Sequence, residues 1–115
     1  MTIKSISDDE AHLKIMRLVQ ARPTITQRQV AGELGVSLGK VNFLLNALIE
    51  KGAVKVDNFR RSNNKLAYAY LLTPSGVDDK ARLTVSFLKR KLDEYESICK
   101  EIDQLKRDAE QDATA

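Results

Sequence analysis

Residues 24–53 read TITQRQVAGELGVSLGKVNFLLNALIEKGA, and this stretch decides the fold. Thr26 can cap a short first helix, since its hydroxyl can accept from an orphan amide of the first turn. Val30, Ala31 and Leu34 give that helix one apolar stripe. Gly35 supplies the left-handed residue that ends it, and Ser37 then caps a second helix. Val41, Leu44, Leu45, Leu48 and Ile49 recur at i, i+3, i+4, i+7 and i+8, a helical period. Gly52 closes this helix. Two helices joined by a turn of about three residues, the second with polar residues near its start, predict a helix-turn-helix whose second helix suits a DNA major groove.

With Val41 turned inward, Gly39, Asn42, Phe43, Asn46 and Glu50 face outward and Lys40 lies at the edge. Asn can bond adenine in a bidentate way, Lys can reach guanine or phosphate, and Phe can lie on a thymine methyl. Gly39 costs the helix about 1 kcal/mol against Ala, and its missing side chain would let the backbone approach DNA closely. The plain alternative is a solvated polar face, with Phe43 packed against a neighbouring element.

Residues 54–59 are apolar and β-prone, and residues 60–65, RRSNNK, form a turn signal. Beyond it Leu66, Tyr68, Tyr70 and Leu72 alternate with Ala67, Ala69 and Leu71, as a strand requires. The result is a hairpin with a basic tip, or wing. Asn63 and Asn64 at the apex suit left-handed backbone. Arg60 or Arg61 could enter a narrow minor groove, where negative potential is concentrated, and Lys65 could add a backbone contact. A solvated turn that happens to hold Arg and Lys is the bland reading. It is less expected directly after a helix-turn-helix.

Upstream, Ser7 and Glu10 read as a capping box, with Ile6 and Ala11 as a hydrophobic staple. Ala11, Ile15, Leu18 and Val19 would bury against the two motif helices, and Arg22-Pro23-Thr24 ends this first helix. The fold class is therefore mainly α with a small β hairpin: a winged helix-turn-helix over residues 1–73, then a long coiled-coil helix.

That last helix is expected from residue 74 to about 109, with Pro74 suited to its start. Leu83 and Phe87, one turn apart, are expected on the body. A heptad follows, with Val85, Leu92, Cys99 and Lys106 at a, and Leu88, Tyr95, Ile102 and Ala109 at d. Ile98 and Leu105 at g widen the stripe. A helix of about 35 residues runs on the order of 50 Å, more than the body can cover. Val85, Leu88, Leu92, Tyr95, Cys99 and Ile102 are thus candidate dimerisation residues, with a second copy as the simplest partner. Lys91 at g and the following Glu96 at e would attract across a parallel pair, a faint preference that leaves the orientation open. Residues 108–115 are polar and small, and are expected to fray as the end of a 74–115 dimerisation segment.

The 115 residues carry 19 Lys and Arg against 16 Asp and Glu, a formal charge of +3. The distribution says more than the total. Residues 38–76 hold six cations and two anions, while residues 77–115 hold eight and ten. The positive excess sits on the second motif helix and wing, where phosphates would be met. One Cys, the absence of a signal-peptide pattern and the lack of a long apolar run predict a cytoplasmic location with no membrane role. A single Cys and a single His cannot supply a typical zinc site. Cys99 reads as packing, with redox sensing a weaker option, and His12 reads as a surface residue. No phosphate loop, dinucleotide fingerprint or Ser/His/Asp set occurs, so neither an enzyme nor a cofactor is expected.

From about Ser7 to Gly76 the chain resembles the MarR family of winged-helix transcription regulators. The residues that carry the resemblance are Gln27-Arg28-Gln29-Val30-Ala31, Leu34-Gly35-Val36-Ser37, Val41, Leu44-Leu45, Leu48, Lys51-Gly52 and the exit Leu72-Thr73-Pro74-Ser75-Gly76. The small size and long last helix look most like the short EPS-associated subgroup found with bacterial exopolysaccharide gene clusters. That resemblance implies promoters of polysaccharide-synthesis genes as targets. Two departures stand out. Typical members carry a further N-terminal helix that joins the dimer, and lacking it the family's ligand crevice would be incomplete. The family's wing often has an Asp-x-Arg pattern, whereas here two residues separate Asp57 from Arg60-Arg61.

The expectation is a dimeric, sequence-specific regulator that binds double-stranded DNA at an inverted repeat, most simply a repressor acting by steric block. Lys40, Asn42, Phe43 and Asn46 would read bases, with Gly39 allowing close approach. Gln27, Arg28 and Ser37 would hold phosphates, and Arg60, Arg61, Asn63 and Lys65 would serve from the wing. The sequence names no small-molecule effector. The competing class is a winged helix that acts as a protein-interaction module and recruits a partner through its coil.

Overall fold

Three short helices, a hairpin and one long helix follow one another along the chain: α1 (Asp8–Ala21), α2 (Gln27–Leu34), α3 (Leu38–Glu50), β1 (Val54–Arg60), β2 (Leu66–Leu72) and α4 (Pro74–Thr114). The computed structural model describes residues 7–60 and 66–114. It divides into two compact units, Met1–Thr84 and Val85–Ala115.

Local chemistry sets each helix boundary in the first unit. The Ser7 hydroxyl accepts from the Glu10 amide at 3.2 Å. The Glu10 carboxylate does not return the bond; it lies 3.5 Å from Lys14 Nζ, one turn on. Only half of the expected box forms there, and Ile6 of the expected staple lies outside the described residues. At α2 the box is complete. Thr26 Oγ1 accepts from the Gln29 amide at 3.1 Å, and Gln29 Oε1 accepts from the Thr26 amide at 2.9 Å. Gly35 then turns left-handed at φ 70°, and its amide donates to Ala31 O. At α3 the Ser37 hydroxyl accepts from the Lys40 amide at 3.0 Å.

The apolar stripes meet in one core. Ile15, Met16 and Val19 of α1 are sealed against Val41, Leu44, Leu45 and Leu48 of α3, with Val30 and Ala31 of α2 closing one side. Each such aliphatic side chain contributes roughly 1.5–3 kcal/mol by leaving water. Leu18 packs on the cluster only partly buried.

β1 and β2 pair antiparallel, with Val54 opposite Leu72 and Val56 opposite Tyr70. Among the described side chains, those at the base of the hairpin are buried. Val54 and Tyr70 join the core, whereas Val56 and Tyr68 are exposed. The Tyr70 amide donates to Pro23 O at 2.8 Å and so ties β2 to the turn before α2.

The start of α4 is fastened to the end of the helix-turn-helix. Thr73 Oγ1 accepts from the Gly76 amide at 3.0 Å, and the Thr73 amide donates to Ala53 O at 3.0 Å. The Thr73 hydroxyl also lies within hydrogen-bonding reach of the Gly52 and Ala53 carbonyls. Gly76 is buried, and a Cβ there would overlap the Ala53 carbonyl. Only Gly permits so close an approach. Asp79 pairs with Lys51 at 3.3 Å, and Leu83 packs on the core as expected.

In the second unit, helix α4 continues to Thr114 instead of ending near residue 109. Residues 108–114 contain no Gly or Pro, and the Thr114 hydroxyl donates back to the Glu110 and Gln111 carbonyls. None of Val85–Thr114 is buried, and Val85, Leu92 and Tyr95 are 68%, 57% and 67% exposed. Among the described residues no helix is long and apolar enough to cross a membrane.

Candidate nucleic-acid interface

Because Val41, Leu44, Leu45 and Leu48 face the core, the opposite side of α3 is solvated. Gly39, Asn42, Phe43, Asn46 and Glu50 are all exposed. Phe43 is not packed against a neighbour but is 63% exposed. An apolar ring is left in water there with no packing partner that covers it among the described residues.

The polar residues are arranged by hydrogen bonds that run from the wing to the recognition face. Gln27 Nε2 donates to the Tyr70 hydroxyl at 3.3 Å. Asn42 Nδ2 donates to Gln27 Oε1 at 3.2 Å, and Asn46 Nδ2 donates to Asn42 Oδ1 at 3.1 Å. The chain of bonds fixes the amide orientation of Asn42. It still leaves Asn42 one N–H and one oxygen lone pair, the set that a bidentate contact to adenine needs. Gln27, a phosphate candidate, is half-buried and bridges Tyr70 to Asn42, with one N–H to spare.

Lys40 is also engaged. Its Nζ lies 2.9 Å from Asp8 Oδ1 and 5.7 Å from the centre of the Phe43 ring. The hydrogen bond and charge of Lys40 hold the Asp8 carboxyl below the usual aspartate value. A phosphate or guanine would therefore compete with Asp8 for this ammonium. Arg28 is exposed on the first turn of α2. The Ser37 hydroxyl accepts the α3 cap bond, which leaves its O–H free to donate. Arg60 ends β1 opposite Leu66. Arg61, Asn63 and Lys65, the rest of the expected wing set, lie outside the described residues.

Two features were not visible in the sequence. Tyr70 lies 43 residues from Gln27, and only the tertiary fold joins them. His12, expected on the surface, is half-buried, and its Nε2 has no hydrogen-bond partner. Burial and the nearby Lys51 push its pKa below the ordinary value, against the opposing pull of Asp8 and Asp9. In the same unit, a groove of about 550 Å³ is lined by Lys14, Arg17, Leu18, Ala21, Leu34 and Lys80, among others.

Residues 8–55 match the family of winged helix-turn-helix DNA-binding domains. No curated protein sequence matches the chain. Among solved structures, a MepR mutant of S. aureus bound to an oligodeoxyribonucleotide is similar at TM-score 0.56 and 20% identity, over 75% of this chain and 60% of that one. PcaV, a transcriptional regulator from Streptomyces coelicolor, matches at TM-score 0.58 and 19% identity, over 87% of this chain and 78% of PcaV. ZitR of Lactococcus lactis, a zinc-responsive MarR family member, matches at TM-score 0.55 and 21% identity, over 85% of this chain and 63% of ZitR. The chain thus spans about three fifths of the length of the MepR and ZitR chains. At these identities the likeness is one of fold alone: the chain shares a winged-helix fold with these regulators, and residues 8–55 carry the helix-turn-helix match.

Proposed function

We propose that this chain is a non-enzymatic, sequence-specific DNA-binding regulator of transcription. The observation that carries the reading is the solvated face of α3, where Asn42 and Asn46 are held in a defined amide orientation beside an exposed Phe43 and Lys40. Donor and acceptor pairs fixed before binding suit base edges in a major groove, and a Phe left in water suits a thymine methyl. The DNA-bound MepR relative supports the same use of the fold.

In this reading Lys40, Asn42, Phe43 and Asn46 contact bases, with Gly39 letting the backbone approach. Arg28 and the spare donors of Gln27 and Ser37 meet phosphate, while Arg60, Arg61, Asn63 and Lys65 serve from the wing. The protein is a homodimer paired through the seam of Val85, Leu88, Leu92, Tyr95, Cys99 and Ile102, and it blocks promoters as a repressor. Its operator is an inverted repeat, one half-site for each recognition helix. Polysaccharide-synthesis genes are the target class, on the strength of the EPS-associated resemblance alone.

The test is binding to a selected operator and to random duplex at two salt concentrations. Affinity should fall steeply with salt as counterions are released, and Arg60→Ala with Arg61→Ala should weaken binding to every sequence. If neither duplex binds at low salt, the DNA reading fails and a protein-interaction module takes its place.

A further inference from the structure

The exposed seam of the second unit has a charge pattern that says how it is covered. We infer that two copies pair antiparallel along residues 87–114, with the midpoint of the pair between Cys99 and Ile102. The inference rests on the seam being a self-association surface and adds the orientation and register of the partner.

In a parallel pair every a residue meets its own copy. Lys106 would face Lys106 of the other chain inside the seam, a buried like-charge layer. The g-to-e contacts would set Ile98 against Asp103 and Leu105 against Glu110, leaving two apolar residues beside carboxylates. Only Lys91 and Glu96 would match. Even that match is weakened within the chain, because Lys91 already lies 3.2 Å from Glu94 and Glu96 lies 3.7 Å from Lys100.

Turning one helix round replaces these mismatches. With a paired to d, Cys99 meets Ile102 of the other copy, Leu92 meets Ala109, and Lys106 lies along Tyr95. There the Lys stem covers the ring while its ammonium reaches water or the ring face. Along one flank Ile98 now meets Leu105, and Lys91, with Glu94 of its own helix still beside it, meets Asp112. Along the other, Lys89 meets Glu110. The remaining flank contact, Glu96 with Asp103, is like-charged, but Lys100 partly neutralises Glu96 from its own helix. Lys89, Glu110 and Asp112 make no ion pair among the described residues, so all three are available for the partner. The basic start of the segment (Lys89, Arg90, Lys91) is thereby laid against its acidic end (Asp108, Glu110, Asp112).

The test uses the full chain with Cys99→Ser, so that only introduced thiols report. One preparation carries Leu92→Cys and another carries Ala109→Cys. Mild oxidation should give a cross-linked dimer only after the two are mixed, because these positions share a layer across the antiparallel pair. A cross-link in the Leu92→Cys preparation alone would mean a parallel pair and overturn the inference. So would sedimentation of the parent chain as a monomer, which also removes the dimer from the proposed function but leaves duplex binding to be judged by its own titration.

A charge exchange gives a second readout that needs no thiol. Lys89→Glu alone and Glu110→Lys alone should each raise the dimer dissociation constant about 3- to 10-fold, since two symmetry-related contacts are spoiled. The double variant should return it close to the parent value. The two residues are too far apart on one helix to interact within a chain, so absence of rescue would also overturn the antiparallel register.

Discussion

Leu48 and Leu92 are the same residue at equivalent stripe positions of two helices, yet Leu48 is 0% exposed and Leu92 is 57% exposed. In the first unit α1, α2, the hairpin and the start of α4 cover the stripe of α3. In the second unit one helix carries a stripe of similar period with nothing over it. A helical period states which face is apolar; it does not state what covers it. Helix propensity and pairs such as Lys91–Glu94 and Lys100–Glu96 supply only tenths of a kcal/mol each. The second unit is therefore a surface awaiting a partner, while the first is a finished core.

The comparison can be broken most forcefully inside that core. Leu48→Ala should cost about 2–5 kcal/mol in denaturant unfolding, whereas Leu92→Ala should leave the unfolding of the first unit within about 0.5 kcal/mol of the parent. A comparable loss from Leu92→Ala would mean that the two stripes are covered alike. Truncation before Leu92 should leave the winged helix folded but monomeric by sedimentation. Operator affinity should drop about 100-fold or more, because the second half-site no longer gains from the first. Unchanged affinity would separate the seam from the DNA reading altogether.

Smaller effects sharpen the role of α3. Asn42→Ala should lower preference for one base position by about 1–3 kcal/mol in competition binding, with little change on random duplex. Tyr70→Phe removes only the hydroxyl that anchors Gln27. It should reduce the same preference by about 0.5–1.5 kcal/mol while non-specific affinity holds. An equal loss on all duplexes would show that Tyr70 acts through stability and not through amide orientation.

The mildest prediction concerns pH. His12 is held neutral, with its folded pKa below the ordinary value of 6.5. Its contribution is fully present above that value and is lost as pH falls from there through the folded value, because the unfolded chain takes up the proton first. Asp8 titrates below its own ordinary value of 3.8 and so lies outside this window. Stability measured at about pH 7.5 and about pH 5.5 should fall toward the acid side, and His12→Gln should flatten that slope. A parent chain with a flat profile would mean that His12 is hydrated in solution.

The legible parts of the molecule were those set by short-range rules. Caps at Ser7, Thr26 and Ser37, the left-handed Gly35, Pro74 at a helix start and the stripe of α3 each depend on residues within a turn or two, and each is found. The outward face of α3 followed from its inward one. What escaped depended on distance through space. Gln27 bonds to Tyr70 across the fold, Lys40 to Asp8, and the Lys51 charge reaches His12 only through the fold. The end of α4 departs from expectation for another reason: its residues are small and polar, yet Glu110, Gln111 and Ala113 are all good helix formers.

The fastening at Thr73 also gives the long helix a direction. First-turn amides ordinarily lack partners and exchange with solvent freely. Here the Gly76 amide is held by Thr73 Oγ1, the Val77 amide donates to Thr73 O at 2.9 Å, and Gly76 itself is buried. The costly first turn is thus made before any of the remaining helix has to form. Winding proceeds from Pro74 toward Thr114, and unwinding runs back the other way. In a single, unpaired chain amide exchange along α4 should therefore slow steadily from its far end to its root, so that the helix opens from its tip and its root is the last part to let go.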